Sequence, residues 1–188
     1  ISLSTLFLSL SLTAQTNPAT WYINDASGSG IQSSSNTASG TYSTAMGYNS
    51  EASGSYSTAM GYNSEASGNN STAMGLYNTA SGTVSTAMGY SSEASGFGST
   101  AMGQGTIASG TYSTVMGKAT RASDKSSLVI GEYNLLGSTV TTSATQSSLD
   151  NTAFVIGNGA DSENRSDALV VKFNGDATLA GSMTATSF

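Results

Sequence analysis

The chain has 188 residues, 37% of them hydrophobic and only 9% charged, with a net charge of −6 and a pI near 4.2. Its five basic residues are scattered rather than gathered into a stripe, which argues against a nucleic-acid partner. It has no cysteine and therefore no disulfide, and no histidine, which removes the commonest general base and transition-metal ligand.

Residues 1–14 read as the apolar core of a secretory signal remnant, too short to span a bilayer. The competing reading makes Leu6, Phe7, Leu8 and Leu10 an ordered cap. Residues 15–37 contain the single Trp and the single Pro and are expected to form an N-terminal cap, with Trp21, Tyr22 and Ile23 as its plug.

From residue 38 to 131 the chain repeats itself every 14 residues, starting ASGTYSTAMGYNSE, ASGSYSTAMGYNSE, ASGNNSTAMGLYNT and ending, degraded, in ASDKSSLVIGEYN. A fixed period of this kind marks a stacked architecture in which each unit buries its apolar face against its neighbours. Each unit is two sevens sharing the pattern S-x-A-x-G, as in Ser43 to Gly47 and Ser50 to Gly54. The pattern predicts two short strands per unit with bends at the glycines, and so one turn of a flattened, all-β solenoid.

Alternation assigns the faces. Ala45, Ala52, Ala59, Ala66, Ala73, Ala80, Ala87, Ala94, Ala101 and Ala108 fall inside, making a thin interior with walls closer than the ~10 Å of ordinary packed sheets. Outside the first strand, beside a threonine column, stand Met46, Met60, Met74, Met88, Met102 and Met116, continued by Ile130 and, after the repeats, Ile156. Soluble monomers avoid an apolar stripe of that size, so these residues are expected to line the interface of an obligate homo-oligomer. The second strand presents a mostly polar wall, including Glu51, Glu65 and Glu93. Tyr48, Tyr62 and Tyr90 share one corner of the turn and Tyr42, Tyr56 and Tyr112 the other. With the three glutamates, Tyr48, Tyr62 and Tyr90 form the candidate ligand surface, either a platform for glycan or extended polypeptide or rings that merely stiffen the corner.

Residues 132–157 are a Ser/Thr-rich loop followed by a last, widened turn at Phe154 to Gly157. Residues 158–188 are a polar link and then two strands joined by Asn174-Gly175, a strong hairpin signal.

The repeat resembles the head repeats of trimeric autotransporter adhesins, the YadA-like family, whose motif N-S-V-A-I-G falls with its S-V-A-I-G on Ser43 to Gly47 and on each successor. Thr and Met replace Val and Ile until Ser127 to Gly131 returns to the family form. The resemblance implies a left-handed parallel β-roll of 14 residues per turn, a homotrimer, surface display and adhesion to a host or environmental surface, glycan or matrix protein. The C-terminal segment resembles secreted and phage fibre proteins, in which such rolls lead into a further module.

Catalysis has little to stand on: the many serines lack a base partner, and no paired carboxylates lie outside the repeat. A non-enzyme without cofactor or metal is expected. The glutamate column could hold a cation, but at ~4.8 Å per coil it reads more simply as a solvated face. A passive structural fibre, a phage-type tail fibre and, less favoured, an ice-binding solenoid built on the threonine column are the other readings; methionines sharing the threonine face weigh against the last.

Overall fold

The computed structural model describes residues 22–23, 30–33, 35–139, 143–182 and 184. The expectations for residues 1–14 and for Trp21 lie outside that set.

Among the described residues the chain is all β, without a helix. A short antiparallel pair, β1 (Tyr22–Ile23) and β2 (Ile31–Gln32), leads into the repeats. The first wall is built by β3 (Thr44–Tyr48), β5 (Thr58–Tyr62), β7 (Thr72–Leu76), β9 (Thr86–Tyr90), β11 (Thr100–Gln104), β13 (Thr114–Lys118) and β15 (Leu128–Glu132). The second consists of β4 (Glu51–Ala52), β6 (Glu65–Ala66), β8 (Thr79–Ala80), β10 (Glu93–Ala94), β12 (Ile107–Ala108) and β14 (Arg121–Ala122). Both walls are parallel, and the register always pairs equivalent positions: Thr44 with Thr58, Ala45 with Ala59, Met46 with Met60. The result is a solenoid of about seven turns.

The strands differ from the sequence expectation in two ways. The first runs from Thr to the residue after glycine, one position later than Ser43 to Gly47, and the second has two residues rather than five. The ASG glycines do fall at bends, Gly40 accepting the turn bond from the Ser43 N–H at 3.1 Å and Gly54 that from the Ser57 N–H at 3.2 Å, but the glycines of the first strand do not. Gly47, at φ +112, sits inside β3, whereas the left-handed bend residues are mostly not glycine: Tyr42, Asn49, Tyr56, Asn63, Tyr77 and Val84 are among them. From Asn49 onward the left-handed corner residues turn their N–H groups onto the previous coil, Asn63 onto the carbonyl of Tyr48 at 3.0 Å and Tyr77 onto that of Tyr62 at 2.9 Å. That bond offsets the ~1–3 kcal/mol that a left-handed non-glycine residue costs. Both glycine columns answer a further constraint, the closeness of neighbouring coils. A Cβ on Gly54 would land on the carbonyl of Gly68, backbone that cannot yield.

Every alanine expected inside is fully buried, from Ala45 to Ala108, and Ala38 and Ala122 join them. Toward the C-terminal end Val115, Val129 and Val155 take over the first-wall place, adding methyl groups to an otherwise sparse interior. A buried polar column runs beside them. The hydroxyls of Ser50 and Ser64 and the amide of Asn78 donate to the carbonyls of Gly61, Gly75 and Gly89 at 3.1, 3.1 and 2.7 Å. A second column, Ser57, Ser71, Ser85, Ser99 and Ser113, is buried with hydroxyls that find no partner.

The seventh copy reads ASD where the others read ASG, and the exception has a cause. The Asp124 carboxylate accepts the Thr152 N–H at 2.8 Å, where β16 (Thr152–Asn158) resumes the stack after the loop. β16 pairs in parallel register with β15, Val129 beside Val155 and Ile130 beside Ile156. It then pairs antiparallel with β17 (Asp167–Lys172), which pairs antiparallel with β18 (Ala177–Leu179). These last strands close a 12-stranded sheet that begins at β1.

Candidate binding surfaces

Three surfaces distinguish themselves on the roll. The first is the outer face of the long wall. Met46, Met60, Met74, Met88, Met102 and Met116 stack in register, each half-buried, and Ile130 and Ile156 extend the column in the same state. Their threonine neighbours from Thr44 to Thr114 are half-buried as well. A flat, fully registered strip of thioethers and methyls is a surface of low desolvation cost and adaptable shape.

The second is the corner after the long strand. Tyr48 and Tyr62 stack with ring centroids 5.3 Å apart, at 59% and 42% exposure. One coil on, the register brings Leu76 rather than tyrosine under Tyr62. The ladder nevertheless continues through Tyr77, the adjacent left-handed residue, whose ring meets Tyr62 edge-on at 5.5 Å and Tyr90 at 6.3 Å. Tyr77 is the residue that sequence reasoning missed. Its signal was present, since the copy that loses tyrosine at position 76 gains one at the next residue. Tyr77 also pushes the Tyr62 phenol above its ordinary value, chiefly by placing a second phenol beside it.

The carboxylates of Glu51, Glu65 and Glu93 open the second wall directly after this corner, all exposed and in one register column that Thr79 interrupts. The opposite corner has its rings in two separate pairs, Tyr42 stacked on Tyr56 at 5.3 Å and Phe97 edge-on to Tyr112 at 5.4 Å.

Further along the first corner the chain covers its own ring. Tyr133 stands in the column of Tyr77, and Lys118 in that of Tyr90, its register carried by Gln104. The Lys118 ammonium lies 5.3 Å from the Tyr133 ring centre and the Arg165 guanidinium 5.6 Å from it. Arg165 also donates to the carbonyls of Ala119 at 2.9 Å and Asn134 at 3.2 Å, tying the polar link back to the roll.

The third surface is a cleft of about 300 Å³ between the loop and the β17–β18 turn, lined by residues including Lys125, Leu149, Asn151 and Phe173. It brings one ammonium to an apolar floor and no second titratable group. Among the described residues no group of acidic side chains could hold a metal ion. No helix among them is long and apolar enough to cross a membrane.

The coil geometry has a counterpart in a known family model. The YadA head domain repeat matches in overlapping two-coil copies at 38–64, 52–78, 66–92, 80–106, 94–120 and 108–131, each beginning on the alanine of an ASG or its equivalent. Together these copies span half of the chain. The chain belongs to the YadA head family. No curated protein matches the sequence. The YadA head copies advance by 14 residues, which is the register step of both walls. They end at Gly131, where the loop replaces the next coil of the YadA head pattern.

Proposed function

We propose that the chain is the head of a homotrimeric surface adhesin, with the methionine wall turned to the threefold axis and the polar wall and corners turned outward. Its family is a structural, adhesin-type one displayed on bacterial surfaces, which supports an outer-surface, non-enzymatic role. The observation that carries the reading is the half-exposed column from Met46 to Met116, continued by Ile130 and Ile156. The interior contributes little to compete with it, because alanine buries scarcely more than one methyl group. Completing the burial of each methionine against two sister chains adds up to ~1.5–3 kcal/mol per side chain, so the assembled form is the stable one. In this reading β16 to β18 make the neck at which three chains meet.

Sedimentation analysis tests the assembly: a mass near three times 18.8 kDa is expected, and a folded, soluble monomer with its methionines in water would end the proposal. Met74→Glu combined with Met88→Glu places like charges one coil apart in each chain and is expected to dissociate the trimer. Adhesion of the trimer to glycan and matrix-protein surfaces separates an adhesin from a passive fibre, which would bind none of them.

A further inference from the structure

The first corner combines a continuous ladder of rings with charge of a single sign. Its four rings, Tyr48, Tyr62, Tyr77 and Tyr90, form an unbroken exposed ladder in coils that contain no positive side chain: the five basic residues of the chain are Lys118, Arg121, Lys125, Arg165 and Lys172, and none precedes position 118. Glu51, Glu65 and Glu93 flank the rings with negative charge. Where the same corner does reach basic residues, at Tyr133, an ammonium and a guanidinium sit against the ring. A tyrosine face with carboxylates nearby attracts cations through its quadrupole and through direct charge, and repels anionic polymers. The coils rise ~4.8 Å each, so the ladder is a track running along the roll, suited to an extended chain rather than a compact ligand.

We propose that the ladder Tyr48–Tyr62–Tyr77–Tyr90, with Glu51, Glu65 and Glu93 beside it, is the docking surface for an extended polypeptide bearing arginine or lysine side chains. Those side chains lie over the exposed tyrosines as Lys118 and Arg165 lie over Tyr133. The proposal names the kind of partner for the adhesin head and rests on that reading, since the corner must face outward in the assembly.

The test uses the whole chain and a fluorescent oligo-arginine peptide, with a length-matched oligo-glutamate as control, and records anisotropy and sedimented mass on the same sample. Oligo-arginine is expected to bind and oligo-glutamate not. Tyr62→Leu with Tyr77→Leu is expected to weaken binding roughly tenfold; leucine already occupies the Tyr62 column at Leu76, and the left-handed column of Tyr77 already holds an apolar residue at Ala119. Tyr42→Leu with Tyr56→Leu, on the opposite corner with the same net charge, is expected to leave affinity within about twofold. On the unaltered chain, oligo-arginine is expected to protect Tyr48, Tyr62, Tyr77 and Tyr90 from nitration more than Tyr42 and Tyr56, a readout that needs no variant. Failure to bind, equal losses from both tyrosine pairs, or equal protection of both corners would overturn the docking surface. A trimer indifferent to the peptide refutes this inference alone, whereas a folded monomer refutes the adhesin-head reading beneath it.

Discussion

Replacing Gly61 with alanine should damage the roll far more than the same change at Gly105, although both glycines have positive φ. At Gly61, φ is +123, a region closed to L side chains, and a new Cβ would meet the Gly75 carbonyl oxygen and approach its carbonyl carbon to 2.8 Å. Backbone strain of ~1–3 kcal/mol and overpacking of ~1–3 kcal/mol give a loss of about 4 kcal/mol per chain. For a chain of this length that lowers the melting temperature by roughly 10 °C. At Gly105, φ is +62, nothing lies within 4 Å of the added Cβ, and Ala119 already holds the equivalent corner one coil on at φ 51. The cost there should be about 1 kcal/mol. Thermal unfolding followed by far-ultraviolet circular dichroism measures both. Equal melting temperatures for the two variants would show that coil spacing does not depend on the glycine column, and the account of the stack would be wrong. Because Gly61 lies between Met60 and Tyr62, its variant should also disturb the methionine wall and the tyrosine ladder.

Other consequences follow from single residues. Ser71→Ala and Ser85→Ala remove buried hydroxyls that have no partner and should leave stability unchanged or slightly higher, whereas Ser64→Ala removes the donor to Gly75 and should cost about 1 kcal/mol by chemical denaturation. Val84, half-exposed at φ 61, holds a left-handed bend that suits a β-branched residue poorly; Val84→Asn should stabilise the chain by about 1 kcal/mol in the same assay. Burial raises the Asp167 carboxyl above its ordinary 3.8, the Leu135 N–H at 2.9 Å offsetting part of the rise. The folded state therefore keeps that proton longer than the unfolded one and loses stability relative to Asp167→Asn as pH climbs from about 3.8 through the raised value; melting curves of the two should diverge toward neutral pH and meet in acid.

Much of this architecture was legible because the repeat is nearly exact: the period, the stacking and the inside place of Ala45 and its successors follow from a 14-residue step and side-chain alternation, while parallel pairing came from the family resemblance. The details that escaped depend on neighbours in the stack. The second wall shrinks to two residues because the chain must turn twice within seven, and the left-handed bends fall on Asn49, Tyr56 and Val84 because their N–H groups find carbonyls on the previous coil. Tyr77 stayed hidden because a column was sought at one fixed position, while in space a ring one residue later fills the gap beside Leu76. The loop was the least readable part. Asn134, Thr139, Asn151 and Thr152 are buried in it through contacts specific to this chain, such as Asn134 to the Arg121 backbone at 2.7 and 3.1 Å and Asn151 to the Gln146 carbonyl at 3.0 Å.

The like-on-like register, threonine on threonine and methionine on methionine, makes the head a structure whose length can change in whole steps. Excising residues 66–79 would join Glu65 to Ala80 and give nearly every severed contact a close equivalent, shortening the rod by one coil of ~4.8 Å. The length of the rod is therefore a property that can change without redesigning any coil.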